Sequence, residues 1–195
     1  MAHKLISYEM RRLKLISDYV KGDNVLDIGF SKFPNPFLRC FNTAGLDLII
    51  DRDIDNIYTE QIQGDISYIN DILLDRKFDT IVCGELIEHL ENPYKVIRSL
   101  KKHLNANGRL IVTTPNIVAF PVLIIELFNI EKYFYSNEHK YLLSPRWIAK
   151  MMRDCGYKVI KIKPVGLWFY KFYVPFTFTT TSWQNIFVCE NEVTT

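Results

Sequence analysis

This chain of 195 residues reads as an α/β protein: a doubly wound, mostly parallel sheet with an antiparallel hairpin at one edge. Segments of strand and helix character alternate along it. The strand segments of the first half are near-continuous apolar runs, as expected of strands covered on both faces. The last two are joined by an irregular aromatic stretch instead of a helix, which breaks the parallel pattern.

Residues 3–20 set Leu5, Ile6, Tyr8, Leu13, Leu15, Ile16, Tyr19 and Val20 between charges, a helical pattern closed by Gly22. NVLDIGF, from Asn24, is a short buried strand ending at a glycine turn. A helix is expected around Phe37 to Phe41, behind Pro34 and Pro36, before a second strand, AGLDLII. A third strand ends at Gly64 and Asp65, and a helix covers Tyr68 to Leu74. FDTIVCG is a fourth strand; Pro93 then opens a helix through Val96, Ile97, Leu100 and Leu104 that stops before Asn107-Gly108. RLIVTTP is a fifth strand, and Ser144-Pro145 caps a helix that ends at Gly156. YKVIKIKP alternates apolar and basic residues as a half-exposed strand should, and NIFVCE is the last strand, the two linked by an irregular loop from Lys163 to Ser182.

With 48% hydrophobic residues the chain can bury one good core, so a single domain over 1–195 is expected. A net charge of +2 from 24 basic and 22 acidic residues, spread evenly, favours no nucleic-acid partner. Charges through the first twenty residues deny the chain an apolar signal core, and the apolar run Ile117 to Ile125 is too short to span a bilayer, so a cytoplasmic location is expected. Cys40, Cys83, Cys155 and Cys189 have no metal or redox spacing and read as reduced thiols. The aromatic stretch from Gly166 suits a pocket wall or contact with a membrane surface.

In open parallel sheets ligands bind beyond the carboxyl ends of the strands. Those positions are acidic here. Asp27 and Gly29 end the first strand, Asp47 lies 20 residues beyond Asp27, Asp65-Ile66 follows the third strand, and Gly84-Glu85 ends the fourth. A carboxylate at the second of these places suits a ribose diol, and Asp51 is an alternative to Asp47. A carboxylate beside a backbone N–H, as at Asp65-Ile66, suits the edge of an adenine. Each acid also has a plain role at a turn, satisfying local backbone groups.

VLDIG, Asp47, GDI at 64–66, FDTIVCGELIEHLENP and LKKHLNANGRLIVTTPN together resemble the class I S-adenosylmethionine-dependent methyltransferases. The resemblance covers about residues 24–160 in the expected order. It implies a Rossmann-like, seven-stranded sheet and S-adenosyl-L-methionine as cofactor. On it, 1–22 is an N-terminal helix, 24–115 the cofactor-binding core, 116–143 a lid or acceptor insertion, and 144–195 the last helix and edge strands. One departure stands out. Where the family has a glycine-rich loop, this chain has Gly29-Phe30-Ser31-Lys32 and FPNP, which leaves Ser31 or Lys32 to hold the methionine end. The missing glycines also weigh against the rival reading, a dinucleotide-dependent oxidoreductase.

GELIEHLENP sets Glu85, Glu88 and His89 at i, i+3 and i+4, and His139 lies before the helix at Ser144. Of two similar subgroups, the ubiquinone-pathway O-methyltransferases and the metal-dependent small-RNA 2′-O-methyltransferases, the second binds a divalent ion through Glu-x-x-Glu-His and a later histidine. Glu85, Glu88, His89 and His139 match that pattern. Two carboxylates and two imidazoles suit Mn²⁺, Fe²⁺, Co²⁺ or Zn²⁺ better than Mg²⁺. The other readings are a general base at His139 or His89, assisted by Glu88, or scaffolding. His103, late in a surface-like helix, is expected to be solvated. The apolar segment Ile117 to Lys140 and Trp168, Phe169, Tyr170 and Phe172 are candidate walls for a small-molecule acceptor, or else a packing or homodimer contact. The functions left open are O-methylation of a sugar, glycan precursor or phenol, RNA 2′-O-methylation, or a noncatalytic partner subunit.

Overall fold

The computed structural model describes residues 7–50, 57–128, 138–169, 172–175 and 177–191. Its strands are β1 Asn24–Ile28, β2 Asn42–Asp47, β3 Glu60–Gln63, β4 Phe78–Gly84, β5 Leu104–Pro115, β6 Tyr157–Phe169, β7 Phe172–Val174 and β8 Gln184–Asn191. The helices are α1 Ser7–Ser17, α2 Ile69–Leu73, α3 Pro93–Lys102, α4 Phe120–Leu127 and α5 Pro145–Asp154. The sheet runs β3-β2-β1-β4-β5-β8-β6, with the three-residue β7 folded back on the end of β6. β1 to β5 are parallel, while β8 lies antiparallel between β5 and β6. The Rossmann-like, mostly parallel sheet of seven strands with an antiparallel edge is therefore present, plus one short extra strand.

Strand periodicity sorts the core into two layers. Leu26, Ile28, Ile81, Cys83, Leu110 and Val112 pack with α3 and α5 on one face. Val25, Val82 and Ile111 face the other side, against Tyr8, Leu13 and Ile16 of α1. Asp27 alternates with Leu26 and Ile28, so its carboxylate points to the α1 side. The order of connections reverses between β1 and β4, which opens a crevice at their carboxyl ends. Asn92 and Ser144 accept from the N–H groups of Lys95 and Trp147, ahead of Pro93 and Pro145, and so start α3 and α5.

Local structure differs from the sequence reading in several places. α3 stops at Lys102, and Leu104, expected at its end, opens β5 instead. β2 begins at Asn42 and leaves the sheet at Asp47; Leu48 and Ile49 are exposed, because the Asp47 carboxylate takes the Leu48 N–H and turns the chain. The helix expected near Phe37 is one 3₁₀ turn, Pro36–Leu38, on an Asn35 cap. β6 continues through the stretch read as a loop as far as Phe169, its Lys163 to Gly166 paired with Ile186 to Gln184 of β8. His103 is buried at the end of α3, with Nδ1 on Arg76 O at 3.0 Å and Nε2 on Asn70 Oδ1 at 3.1 Å. Both ring nitrogens are engaged in closing the α2–β4 connection, which explains why a polar ring sits inside. Among the described residues no helix is long and apolar enough to cross a membrane.

Candidate active site

Two hollows lie beyond the carboxyl ends of β1, β2 and β4 and share Lys32 as a wall. One, of about 230 Å³, is bordered by Arg12, Asp27, Gly29, Glu85, His89 and Gln184 among others. The second, of about 270 Å³, is lined by Ser31, Lys32, Asp47 and Ile49. Each is smaller than the roughly 300–1,000 Å³ of ordinary ligand sites, and the two together fall within that range.

The second hollow is built by a turn. Asp47 Oδ2 accepts the Ser31 N–H at 2.8 Å and Oδ1 accepts the Leu48 N–H at 2.7 Å, which fixes the carboxylate at the rim. Ser31 Oγ is buried with no partner. Gly29 has φ +80°, donates to Leu46 O at 2.9 Å, and finds nothing nearer its would-be Cβ than Leu86 at 3.8 Å. Its backbone is thus open to a ligand. Asp65 is exposed and caps the 3₁₀ turn Ile66–Tyr68 through the Ser67 N–H at 2.8 Å, with Ile66 buried in the core. Asp51 lies outside the described residues.

The first hollow has a charged floor. Asp27 is buried, and burial pushes its carboxyl up to about 7 despite the hydrogen bond from Tyr58 and the nearby Arg12. Glu85 leaves β4 at φ +52°, a left-handed conformation costing about 1–2 kcal/mol in a residue with a side chain. Its N–H meets Thr113 O at 3.0 Å, and its carboxylate accepts from Thr113 Oγ1 at 2.8 Å and from Gln184 Nε2. Arg12, 4% exposed, donates to Glu9 at 3.0 Å and to Thr113 Oγ1 at 3.2 Å. Burial raises the Glu85 carboxyl and Arg12 opposes it. Gly84 leaves room for that guanidinium, since a Cβ there would lie 3.3 Å from Arg12 Nη1. Arg12, Glu9 and Gln184 were not singled out by the sequence. Arg12 sits at helical spacing from Tyr8 and Ile16, both buried on α1, so it lies on the inward face, the one signal that marked it.

Beyond His89 a second cluster stands apart. The ligating atoms of Glu88, His89 and His139 lie within 4.8 Å of one another, and the two rings meet edge-on at a centroid distance of 4.8 Å. The 3₁₀ turn Ile87–His89 carries the first two, and the Lys140 N–H, bonded to Glu88 O at 2.8 Å, brings His139 alongside. Glu88 is 2% exposed and neither carboxylate oxygen has a partner at full hydrogen-bonding geometry; burial and the charge of Glu85 push it up to about 9, against the weaker opposing pull of its own backbone N–H, Thr114 and Arg12. His139 Nδ1 is buried without a partner, and burial and His89 lower its pKa. His89 Nδ1 lies 3.1 Å from Glu138 O. Of the four matching residues, three converge; Glu85 lies outside the group, held by Thr113 and Gln184.

Residues 1–162 match the family described as methyltransferase domain. The chain belongs to that family. It is thereby an S-adenosylmethionine-dependent methyltransferase domain, and the two hollows fit that cofactor: an acid-bordered rim, an open glycine backbone and unpaired buried polar atoms. The ubiquinone biosynthesis O-methyltransferase of Rickettsia typhi is 26% identical over 175 residues, 83% of this chain and 70% of that protein. The protein of the same name from Rickettsia canadensis is 32% identical over 101 residues, 50% of this chain and 43% of its own length. The fold is shared with a methyltransferase of Thermotoga maritima, named a possible histamine N-methyltransferase, at TM-score 0.73 and 15% identity over 94% of this chain and 89% of that one. Gln184 lies beyond the matched residues.

α4 follows β5; its Val122 and the Ala119 cap before it pack inward, leaving Phe120, Leu123 and Leu127 exposed. Residues 129–137 of the expected acceptor insertion, Tyr170, and the side chains of Trp168, Phe169 and Phe172 lie outside the described residues.

Proposed function

We propose that this methyltransferase domain transfers the methyl group of S-adenosylmethionine to a hydroxyl of a small apolar molecule, a phenolic acceptor above all. The observation that carries the reading is the convergence of Glu88, His89 and His139 at the edge of the cofactor hollow. A buried carboxylate with no hydrogen bond is costly and calls for a compensating cation or proton. Two imidazoles and one carboxylate with open positions suit Mn²⁺, Fe²⁺, Co²⁺ or Zn²⁺. Such an ion, when bound, supplies Lewis acidity that lowers the pKa of a hydroxyl. The relatives named ubiquinone biosynthesis O-methyltransferase support O-methylation, and the exposed apolar residues of α4 favour an apolar substrate over a long polyanion.

In this reading Asp47 holds the ribose, the Asp65-Ile66 turn meets the adenine, and Asp27 takes the ammonium of the methionyl end. Arg12 serves the methionyl carboxylate, the role the sequence left to Ser31 or Lys32. The acceptor hydroxyl lies between the hollow and the His89/His139 pair, and alignment there supplies most of the rate, since the sulfonium is already activated. His139, with Nδ1 unpaired, takes the proton if no ion is used.

The test is methyl transfer to a panel of phenols and catechols, followed by detection of S-adenosylhomocysteine, before and after EDTA and with Mn²⁺ or Co²⁺ restored. Loss with EDTA and recovery with the ion support the metal reading. Unchanged turnover in EDTA sinks it and leaves His139 as base.

A further inference from the structure

We propose that Tyr58 is a positioning residue for the methyl donor: its hydroxyl replaces the missing glycine-rich loop by tying the proline-bracketed turn to Asp27 and holding that carboxylate ready for the donor's ammonium. Tyr58 Oη donates to Asp27 Oδ2 at 2.8 Å and accepts the Asn35 N–H at 3.1 Å. Asn35 in turn donates through Nδ2 to Leu13 O at 3.1 Å, while its Oδ1 caps the Phe37 N–H at 3.1 Å. One hydroxyl thus links β1, the loop after it and, through Asn35, helix α1. The phenol ring is itself fixed, 7% exposed and 4.4 Å from the Phe30 ring, centroid to centroid. Phe30 lies directly over Gly45, where a Cβ would come within 2.6 Å of its ring. The turn that follows Gly29 is therefore set by a tilted ring pair and a hydroxyl instead of by glycines.

The hydroxyl also acts on charge. A phenol donating to a carboxylate favours the ionised form, and even with that help burial holds the Asp27 proton to about pH 7. The other charged groups around it pull both ways. Arg12 of α1 favours ionisation, Asp47 of β2 opposes it, and the Cys83 thiol of β4 also feels the Asp27 charge. Glu9, Lys32, Glu85 and His89 border the same hollow.

The inference rests on the reading that the methionyl end lies beside Asp27, and the experiment separates the two. Calorimetry with S-adenosylmethionine from pH 5.5 to 8.5 is run on the wild type, Tyr58→Phe, Asp27→Asn and the double variant. Wild-type affinity rises through about pH 7. Tyr58→Phe moves that midpoint up by about one pH unit, a loss of about fivefold at pH 7 that fades at pH 8.5. Asp27→Asn binds weakly with no such pH dependence, and adding Tyr58→Phe to it costs little more. A loss in Tyr58→Phe that is equal at every pH, or that adds in full to Asp27→Asn, overturns the proposal and leaves the reading of the site standing. A wild type that binds no donor overturns both.

Discussion

Replacing Glu88 by Gln should make the metal-free protein more stable above neutral pH while abolishing its chemistry. In the folded chain the carboxyl holds its proton to about pH 9, because it is 2% exposed and near Glu85. In the unfolded chain it releases that proton near pH 4.3, the ordinary value for Glu. Between those limits the folded state binds more protons than the unfolded one, so stability falls as pH rises, by up to about 1.4 kcal/mol per pH unit. Going from pH 5.5 to 7.5 therefore costs about 2–3 kcal/mol through this one group. Glutamine has the same shape and does not ionise. At roughly 2–4 °C per kcal/mol for a chain of 195 residues, the melting advantage of Glu88→Gln over the wild type should be about 4–12 °C larger at pH 7.5 than at pH 5.5. The assay is calorimetric melting in EDTA at both pH values. A variant less stable than the wild type at pH 7.5, or one with the same pH slope, refutes the argument that an uncompensated carboxyl is stored there.

Asp47→Ala frees the N–H groups of Ser31 and Leu48 and removes the rim acid; donor affinity measured by calorimetry should fall by more than tenfold, about the worth of one charged hydrogen bond. Arg12→Met leaves Glu9 and Glu85 without their buried cation and should cost about 3–5 kcal/mol in urea unfolding. Gly45→Ala drives a Cβ into the Phe30 ring, a clash worth about 1–3 kcal/mol, and should lower both the melting temperature and donor affinity because Phe30 adjoins Gly29.

What the sequence made legible was whatever depends on local pattern. Apolar runs fixed β1, β4 and the carboxyl half of β5, while Pro93 and the Ser144-Pro145 pair fixed the starts of α3 and α5 within a residue. The Glu-x-x-Glu-His resemblance also anticipated that Glu88 and His89 lie close to His139. Contacts between distant segments stayed hidden. Arg12 reads as one charge in an amphipathic helix, and only packing against Thr113, 101 residues away, shows it as part of the floor. Gln184 lies on the antiparallel edge strand, far from any motif, yet pairing with Pro115 brings it to Glu85. For the same reason the i, i+3 relation of Glu85 and Glu88 misled. Glu85 is the turn residue at φ +52°, not a member of a regular helix, so the two side chains leave in different directions.

The rival oxidoreductase reading can be weighed by accounting for backbone donors. A dinucleotide's pyrophosphate is gripped by unsatisfied N–H groups of a glycine-rich turn at a helix N-terminus. Here the Gly29 N–H goes to Leu46 O, that of Ser31 to Asp47, and that of Asn35 to Tyr58, while Pro34 and Pro36 have none to give. The element that follows is one 3₁₀ turn, too short to present a helix dipole. The loop is thus closed on itself, with little left for two phosphates. The cofactor of this family has no phosphate, and in the reading proposed above its ribose and ammonium are met by the Asp47 and Asp27 carboxylates. A nicotinamide dinucleotide should accordingly fail to displace S-adenosylmethionine in competition calorimetry. Displacement at comparable concentration would mean that the loop opens, and that the hydrogen bonds from Ser31 and Asn35 are not what holds it.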